Sequence, residues 1–518
     1  MGKINSVVIV GGGSAGWMSA ATFIKYFPNK EITVIESKDH PTVSVGESTL
    51  GFIRKWTSIL EIDEQDFMKY TNASYKLSIK FTDFYEKDRG SFHYPFGQPH
   101  QHDDSGTEWQ IKKVLNPETE IEDYCRTYFP AMPLIENNKI STNKSGEFDG
   151  FDFSRDVAYH FDSGLFGSWL KEKYCIPRGV NVIQETVETI ETNEDGIEKL
   201  LLSNGTEITA DLFIDCTGFK SLLLKETLKE PFDSYSDMLP NNRAWATQIP
   251  YTDKDKELES YTNCTAIENG WVWNIPLWNR IGTGYVYSDN FVTPEKALEE
   301  FKAHLNSNKM TIPDSSRGDN PELVFKDIHM RIGIHNRTWV KNVVAIGLSA
   351  GFIEPLESNG LLSVHEFLLM LMKSIDRPKI TQLDKDCYNM ATKDFFDGFF
   401  DFVALHYKLS IRDDTEYWKS VTSKSMNKDN KGLYNLRYKK YRINRHEGQD
   451  GIQCISIGMD YLMMDKGDIV ELANKEKLDI LKMNKEFIQS RKLLIEKWNR
   501  AASNSPLLSQ YLKQNIYN

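Results

Sequence analysis

The chain has few cysteines, no excess of positive charge and no long apolar run, and each absence argues against a class of protein. Its six cysteines lie far apart without a Cys-x-x-Cys pair, which argues against a zinc site or disulfide framework and fits a reducing cytosol. Lysine and arginine number 62 against 74 acidic residues, a net charge of −12, so nothing suggests nucleic acid. No run is long enough to span a membrane, and we expect no signal segment. We therefore expect a cytoplasmic, multidomain protein without membrane or nucleic-acid partners.

Residues 7–20 have the pattern of a strand, a tight glycine turn and a helix. The turn is formed by Gly11, Gly13, Ser14, Ala15 and Gly16. Glycine is needed where a pyrophosphate approaches the backbone N–H groups of a helix N-terminus, because a Cβ would be in the way. A second strand ends in Glu36, about twenty residues beyond the turn, and its carboxylate can accept both ribose hydroxyls of an adenosine. Together these features predict a Rossmann-like dinucleotide site.

Two later strands also end in glycine-bearing turns, at residues 215–219 and 347–360. Three such turns far apart in sequence imply one large dinucleotide held from several sides. FAD fits better than NAD, because a bound flavin is commonly clasped along its whole length.

The apolar patterns also predict other elements along the chain. They indicate a strand at residues 78–82, a separate sheet over 243–290, and helices at 156–170, 361–373 and within 469–498. Residues 86–150, rich in Gly, Pro, His and Asp, predict an irregular surface excursion of the kind that forms lids. The polar residues His100, His102, Asp103 and Asp104 lie in this excursion. We interpret them as a solvated loop and predict no metal site.

The chain resembles the flavin-dependent halogenases of the tryptophan-halogenase type over roughly residues 1–420. The most specific motif is Trp-x-Trp-x-Ile-Pro at residues 271–276. Supporting motifs lie at residues 45–49, 159–166, 213–219, 354–358 and 406–415. In the family the two tryptophans lie beside the flavin and are thought to keep organic substrate away from it. The resemblance therefore implies that Trp271 and Trp273 shield the flavin.

The resemblance also implies roles for individual residues. FAD contacts are expected from the glycine turn and from Glu36, Glu47, Ser48, Val187, Leu348 and Leu361. The Ile-Lys-Phe motif makes Lys80 the expected catalytic lysine, with Lys76 as the competing candidate four residues earlier, and Glu357 is the second active-site residue. The family binds halide with a threonine and a glycine. Here Asn359 replaces that threonine and precedes Gly360, which leaves the preferred halide (chloride, bromide or iodide) open.

The expected fold is α/β, with a Rossmann-like, flavin-monooxygenase-like FAD-binding module interleaved with a β-sheet substrate module and followed by C-terminal helices. We place the FAD module at residues 1–85, 150–225 and 330–420, the substrate module with its lid-like loop at 86–149 and 226–329, and the helices at 421–518.

The expected function is halogenation of an electron-rich aromatic substrate of the indole or phenol type. FADH2 from a separate flavin reductase, oxygen and halide would generate hypohalous acid, which passes to Lys80. One alternative is an FAD-dependent aromatic hydroxylase. Another is a flavoprotein that binds a nucleic acid or protein through the basic residues 437–445. Substrate and oligomeric state stay open, with a homo-oligomer among the options.

Overall fold

The computed structural model describes residues 2, 4–37, 46–100, 105–142, 146–307, 323–424, 449–461, 466–476 and 479–518. Two compact units are built from interleaved segments. Unit 1 comprises Met1–Ala73, His160–Ala246 and Lys326–Phe400, and unit 2 comprises Ser74–Tyr159, Thr247–Phe325 and Asp401–Asn518. The three-part domain boundaries expected from the sequence stay a prediction. Val45, the polar residues 102–104 and the basic residues 437–445 lie outside the described residues.

Runs of strands and runs of helices follow one another along the chain. The strands are β1 (Ser6–Val10), β2 (Glu31–Ile35), β3 (Gly46–Ser48), β4 (Ser74–Lys76), β5 (Ser78–Thr82), β6 (Ser91–Pro95), β7 (Ala158–Asp162), β8 (Asn181–Ile183), β9 (Val187–Asn193), β10 (Gly196–Leu202), β11 (Glu207–Ile208), β12 (Leu212–Asp215), β13 (Phe232–Ser234), β14 (Arg243–Ile249), β15 (Tyr261–Ile267), β16 (Gly270–Pro276), β17 (Ile281–Tyr287), β18 (Lys326–His329), β19 (Gly333–His335), β20 (Trp339–Val340), β21 (Val343–Ala345) and β22 (Gly351–Phe352).

The helices are α1 (Ser14–Tyr26), α2 (Ile53–Ile59), α3 (Glu64–Tyr70), α4 (Ser105–Leu115), α5 (Asp123–Tyr128), α6 (Met132–Glu136), α7 (Phe153–Asp156), α8 (Ser163–Trp169), α9 (Lys254–Glu257), α10 (Pro294–Leu305), α11 (Gly360–Ile375), α12 (Gln382–Lys408), α13 (Glu416–Ser423), α14 (Gln449–Gly458), α15 (Lys466–Glu476), α16 (Ile480–Ser503) and α17 (Leu508–Asn515). Among the described residues, no helix is both long enough and apolar enough to cross a membrane.

The core of unit 1 is a six-stranded sheet in the order β20, β21, β12, β1, β2, β8. All neighbouring pairs are parallel except β20 with β21. Val10 at the end of β1 lies opposite both Ile35 and Asp215, and Asp215 lies opposite Ala345. Because parallel strands end at the same edge of a sheet, the residues that follow these strands meet there. The expected α/β fold with a Rossmann-like sheet is confirmed.

Unit 2 contains the second sheet predicted from the sequence, in which β17, β16, β15, β5 and β6 lie side by side. Lys80 on β5 lies opposite His93 and Asn263, whereas its neighbour Phe81 lies opposite Cys264, which in turn pairs with Trp273. Paired residues on adjacent strands share a face, and successive residues alternate between faces. The register therefore places Lys80 and Trp273 on opposite faces of this sheet.

Three local predictions from the sequence are wrong. Residues 86–150 are not an irregular excursion, because they contain β6 and the helices α4, α5 and α6. Their aromatic side chains, such as Trp109 and Tyr124, are buried and pack edge-on at 5.7 Å. The predicted helix at 156–170 begins with the strand β7, which is buried along its whole length and so shows no alternating pattern. Residues 469–498 belong to two helices, and the second begins after Asp479, whose carboxylate accepts from the backbone N–H of Lys482.

A buried ion pair joins α4 to α16 within unit 2. The Arg491 guanidinium donates to both carboxylate oxygens of Glu108, with distances of 2.9 and 3.0 Å. The two side chains are only 5% and 3% exposed. The face of the Tyr128 ring lies 4.8 Å from the guanidinium carbon, so an aromatic contact covers the pair as well. Removing one partner would leave the other charge buried without compensation.

We expect Arg491→Met to destabilise unit 2 by about 3–5 kcal/mol, because it leaves the Glu108 carboxylate buried and uncompensated. The matched control is Lys419→Met, which removes the exposed pair with Glu416 and should cost at most about 1 kcal/mol. Urea-induced unfolding followed by tryptophan fluorescence measures both variants. Equal midpoints for the two variants would contradict a stabilising role for the buried pair.

Candidate active site

The glycine turn after β1 is shaped by close backbone contacts. Gly11 has a φ of +117°, and a Cβ at this position would lie 2.2 Å from the carbonyl oxygen of Cys216. A Cβ on Gly16 would lie 1.9 Å from the carbonyl oxygen of Gly11. Gly13 differs, because a Cβ there would have no atom within 4 Å. Gly11 and Gly16 thus allow close packing of the backbone, whereas Gly13 faces open space where a ligand could approach the backbone.

The N-terminus of α1 is suited to bind an anion. Its N-cap is Gly13, which has no side chain to cap the helix, and no acidic residue occupies the first turn. The hydroxyl of Ser14 donates instead to the carbonyl oxygen of Ser163 at 3.0 Å. Backbone N–H groups at such an end attract phosphate through hydrogen bonds and the helix dipole. With the open space beside Gly13, this geometry fits a pyrophosphate.

Glu36 lies where the sequence predicts, beside the glycine turn. Its Oε1 accepts hydrogen bonds from the ammonium of Lys171 and, at 3.1 Å, from the Gln184 amide. Its Oε2 points toward the glycine turn, 2.5 Å from where a Cβ on Gly12 would lie. Both hydrogen bonds are made to Oε1, and they orient the carboxylate so that Oε2 faces the glycine turn. Lys171 is a partner that the sequence pattern does not reveal, because it comes from a distant helix.

The second glycine turn is held by the carboxylate of Asp215. Its Oδ1 accepts from the backbone N–H of Thr217 at 3.0 Å, and its Oδ2 accepts from the backbone N–H groups of Leu223 and Leu224 at 2.8 and 2.9 Å. Burial raises the pKa of the neighbouring Cys216 thiol to about 12, so this thiol stays protonated. Asp215 and Cys216 therefore shape the turn and are not reactive groups.

The third glycine turn lies against the other two. The Ser221 hydroxyl donates to the carbonyl of Ser349 at 2.9 Å, and the Ser349 hydroxyl donates back to the carbonyl of Gly218 at 3.2 Å. A Cβ on Gly347 would lie 2.8 Å from the Cβ of Ala15. The three turns that lie far apart in sequence thus adjoin in unit 1. The expected FAD contact Val187 lies near Glu36 as well. It follows Thr186, whose hydroxyl lies 2.9 Å from the hydroxyl of Ser37, the residue after Glu36.

A small pocket of ≈ 20 Å³ lies between the third turn and the start of α11. Leu348, Asn359 and Gly360 line it, and Leu361 follows in the first turn of the helix. The Asn359 side chain is buried, and its Nδ2 donor has no hydrogen-bond partner among the described residues. An amide donor buried without a partner is costly, and an anion in this pocket would satisfy it. The halide residues predicted from the sequence therefore adjoin the third glycine turn.

Strand β3 also reaches this loop. A Cβ on Gly360 would lie 3.3 Å from Oε1 of Glu47, and the Ser48 hydroxyl is 2.9 Å from that of Ser358. Glu357 in the same loop is fully buried. Glu47 and Ser48 therefore lie beside the halide residues.

The sequence did not indicate that α12 contributes an aromatic wall to this pocket. The wall consists of Phe395, Phe396 and Phe399. The rings of Phe395 and Phe399 are 5.1 Å apart, one helical turn from each other. Phenylalanines four residues apart in a helix usually serve packing, so the pattern by itself gives no signal of a site.

The two motif tryptophans lie on β16 in unit 2. Trp271 and Trp273 are 0% and 8% exposed, and their rings are 6.2 Å apart. They share a sheet face with Phe81. Lys80 is half-buried on the opposite face, in an open pocket of ≈ 510 Å³. Its ammonium faces a polar, open space.

The competing lysine, Lys76, is fully buried at the end of β4. Its ammonium lies 5.1 Å from the centre of the Phe96 ring, which packs edge-on against Tyr94 at 6.0 Å. Two residues earlier, the Ser74 hydroxyl donates to the carbonyl of Pro276, the proline of the tryptophan motif, at 2.5 Å. Lys76 therefore lies beside the Phe96 ring, on a strand whose Ser74 contacts the end of β16.

A parallel sheet whose strand ends carry this glycine turn and this acid defines a nucleotide-binding enzyme of the Rossmann class. The tryptophan halogenase family model matches residues 6–449. Tryptophan 6-halogenase SttH from Streptomyces toxytricini is 35% identical over 82% of this chain and 82% of its own length. Tryptophan 7-halogenase RebH from Lentzea aerocolonigenes is 32% identical over 81% of this chain and 79% of its own length. The apo structure of VirX1 superposes with a TM-score of 0.90 at 38% identity, covering 100% of both chains.

This chain therefore belongs to the tryptophan halogenase family. It is a flavin-dependent halogenase, as the sequence motifs predicted. Enzymes of this family use halide and aromatic substrates and rely on a flavin reductase. The hydroxylase alternative is not favoured, because the family and the relatives named above are halogenases.

The geometry of the glycine turn predicts different effects for the same substitution at two positions. Gly13→Ala should leave the thermal unfolding temperature unchanged but weaken FAD binding at least about tenfold, because the methyl group fills space beside the helix N-terminus. Gly11→Ala should lower the unfolding temperature even without FAD, because of its positive φ and its clash with Cys216. Differential scanning fluorimetry and quenching of flavin fluorescence separate the two effects. Unchanged FAD affinity in Gly13→Ala would contradict the assignment.

Proposed function

We propose that this enzyme halogenates a small, electron-rich arene of the indole or phenol class, with FADH2 delivered by a separate reductase. The observation that carries the proposal is the buried, unpartnered Asn359 amide in a pocket that adjoins a flavin-type glycine turn. The names of SttH and RebH, both tryptophan halogenases, support an indole-like substrate. The six free thiols and the net charge of −12 support a cytoplasmic enzyme without a nucleic-acid partner.

The residues of unit 1 fit FAD and halide. The N-terminus of α1 with Gly13 would hold the pyrophosphate, and Glu36 would bind the adenosine ribose through Oε2. When bound in reduced form, FAD supplies the two electrons that activate oxygen for oxidation of halide to hypohalous acid. Asn359 and the N-terminus of α11 at Gly360 would donate hydrogen bonds to the halide. The wall of Phe395, Phe396 and Phe399 would exclude water from this pocket.

The residues of unit 2 supply the lysine, and we propose Lys80, with Lys76 as the competing candidate. Lys80 lines an open pocket that small molecules could enter, whereas Lys76 is fully buried beside the Phe96 ring. A hydrogen bond from the ammonium to hypohalous acid would make the halogen more electrophilic. Lys80 lies on the polar face of the sheet, opposite the face of Trp271 and Trp273. Its assignment as the catalytic lysine stays a prediction.

Three further residues complete the proposal. The buried Glu357 carboxylate would accept the proton that the ring loses during electrophilic substitution. Trp271 and Trp273 would shield the flavin from organic substrate, as the family resemblance implies. Their tight packing on β16 supports a fixed wall, because neither ring has room to move aside.

Asn359 should control halide affinity. We expect Asn359→Ala to raise the KM for halide about 10- to 100-fold, because a hydrogen bond to a charged group contributes about 1.5–3 kcal/mol. Asn359→Thr should retain most of the affinity, since its hydroxyl also donates. Initial rates against chloride, bromide and iodide concentration give the three constants, and FAD affinity should stay unchanged. A halide KM unaffected in Asn359→Ala would remove Asn359 from the site.

The two lysine assignments predict opposite results. If Lys80 acts on hypohalous acid, Lys80→Ala should reduce halogenated product by about 10²- to 10⁴-fold. Lys76→Ala should keep most of the product. The measurement is mass spectrometry of reactions with FAD, reductase, NADH, oxygen, halide and a panel of indoles and phenols. Loss of product only in Lys76→Ala would establish the competing assignment instead. Oxygenated products without halide in the wild type would overturn the proposed function itself.

A further inference from the structure

The Glu36 carboxylate is held by two side chains that do not belong to the nucleotide-binding motif. The ammonium of Lys171 and, at 3.1 Å, the side-chain amide of Gln184 both donate to Oε1. The backbone N–H of Glu36 donates to the carbonyl of Ile183 at 3.0 Å, which fixes the main chain at the end of β2. Both the main chain and one carboxylate oxygen of Glu36 are therefore engaged within unit 1.

Lys171 is itself held in place against α1. It lies in a π-helical turn, Leu170–Cys175, which directly follows α8. Such turns are uncommon and occur frequently at functional sites. The Cys175 sulfur lies 3.9 Å from the carbonyl oxygen of Trp17, and the Lys171 ammonium lies 5.7 Å from the centre of the buried Trp17 ring. The side chains of Lys171 and Glu36 are only 22% and 15% exposed, so this ion pair is partly enclosed.

The two oxygens of the Glu36 carboxylate have different surroundings. Each carboxylate oxygen has two lone pairs, and the hydrogen bonds from Lys171 and Gln184 use both lone pairs of Oε1. Oε2 faces the glycine turn, and a side chain at Gly12 would cover it, because a Cβ there would lie 2.5 Å away. A carboxylate without such partners could accept from two neighbouring hydroxyls, one with each oxygen. Glu36 instead presents a single oxygen to a ligand.

We propose, from the FAD site proposed above, that Lys171 is a positioning residue that restricts Glu36 to a single hydroxyl of the adenosine ribose. Oε2 accepts from one hydroxyl, and the other hydroxyl receives no bond from the carboxylate, because Oε1 is already engaged. Lys171 also balances the negative charge of Glu36 beside the glycine turn, where an uncompensated carboxylate would repel the phosphates of the ligand. Lys171 thus acts through Glu36 and does not contact the ribose.

Isothermal titration calorimetry with ADP, 2′-deoxy-ADP and 3′-deoxy-ADP tests this role on the full-length protein without flavin. In the wild type, loss of one hydroxyl should weaken binding about tenfold relative to ADP, whereas loss of the other should weaken it by less than about twofold. Lys171→Met should bring the two ratios together, because it releases Oε1 from the ammonium. Lys171→Arg should keep them apart, because a guanidinium can donate to the same oxygen.

The matched control is Lys173→Met, which removes an exposed lysine from the same helical turn and should leave both ratios unchanged. Each ratio compares ligands of equal charge in one variant, so the general weakening of anion binding by loss of a positive charge cancels. In Glu36→Ala, both deoxy analogues should bind about as well as ADP. Adding Lys171→Met to Glu36→Ala should then change neither ratio, because the two residues act as a unit.

Three outcomes would overturn this role of Lys171. Equal weakening by loss of either hydroxyl in the wild type would show that Glu36 binds both. Unequal ratios that persist in Lys171→Met would show that the lysine does not restrict the carboxylate. A ratio that changes when Lys171→Met is added to Glu36→Ala would place Lys171 in direct contact with the ribose. An unchanged unfolding temperature in Lys171→Met, with rescue by Lys171→Arg, excludes misfolding.

These binding ratios do not depend on halogenation. Unequal ratios in the wild type, together with no halogenated product in the mass-spectrometric assay, would refute the proposed function and leave the role of Lys171 intact. Halogenated product together with equal ratios would refute the role of Lys171 alone.

Discussion

The close approach of two backbones at the end of β1 is the constraint on which the nucleotide-binding unit depends. Gly11 lies so near the carbonyl of Cys216 that no side chain fits between them, and Gly16 lies equally close to Gly11. This contact sets the distance between β1 and β12, and it fixes the direction in which α1 leaves the sheet. The position of the uncapped N-terminus of α1 follows from this backbone contact. The same contact brings the glycine turns at residues 11–16 and 215–219 together. The expected cofactor geometry is thus a consequence of parallel strands that end in register.

The second constraint is the free-energy cost of burying a charged side chain in unit 2. Two lysines four residues apart, Lys76 and Lys80, have the same chemistry but different surroundings. Lys76 is fully buried beside the Phe96 ring, and Lys80 is half-buried in a polar pocket. A buried ammonium is costly, so a protein retains one when the surrounding structure or the reaction uses it. The surroundings of Lys76 therefore suit a structural role, whereas Lys80 faces a space that small molecules can enter.

Much of the fold could be predicted from the sequence, because the decisive features are local. The glycine turn, the acid after β2 and the apolar strands at residues 78–82 and 271–276 have periods and spacings that are visible in the chain. Strand β7 could not be predicted, since a strand buried on both faces lacks an alternating pattern. The helices within 86–150 could not be predicted, because the polar composition of this segment indicated a loop. The side of the sheet occupied by Lys80 depends on strand register, which a single sequence does not specify.

The site also shows why motif matching and physical environment must be weighed separately. The flanking Ile and Phe made Lys80 the closer motif match, yet these neighbours point to the other face of the strand. An apolar flank in sequence therefore did not mean an apolar environment in the fold. Asn359 shows the reverse case. It departs from the family motif, but its buried donor has no partner among the described residues, and an anion site requires such a donor. In the proposed halide site, replacement of threonine by asparagine changes the reach of the donor and preserves its chemistry.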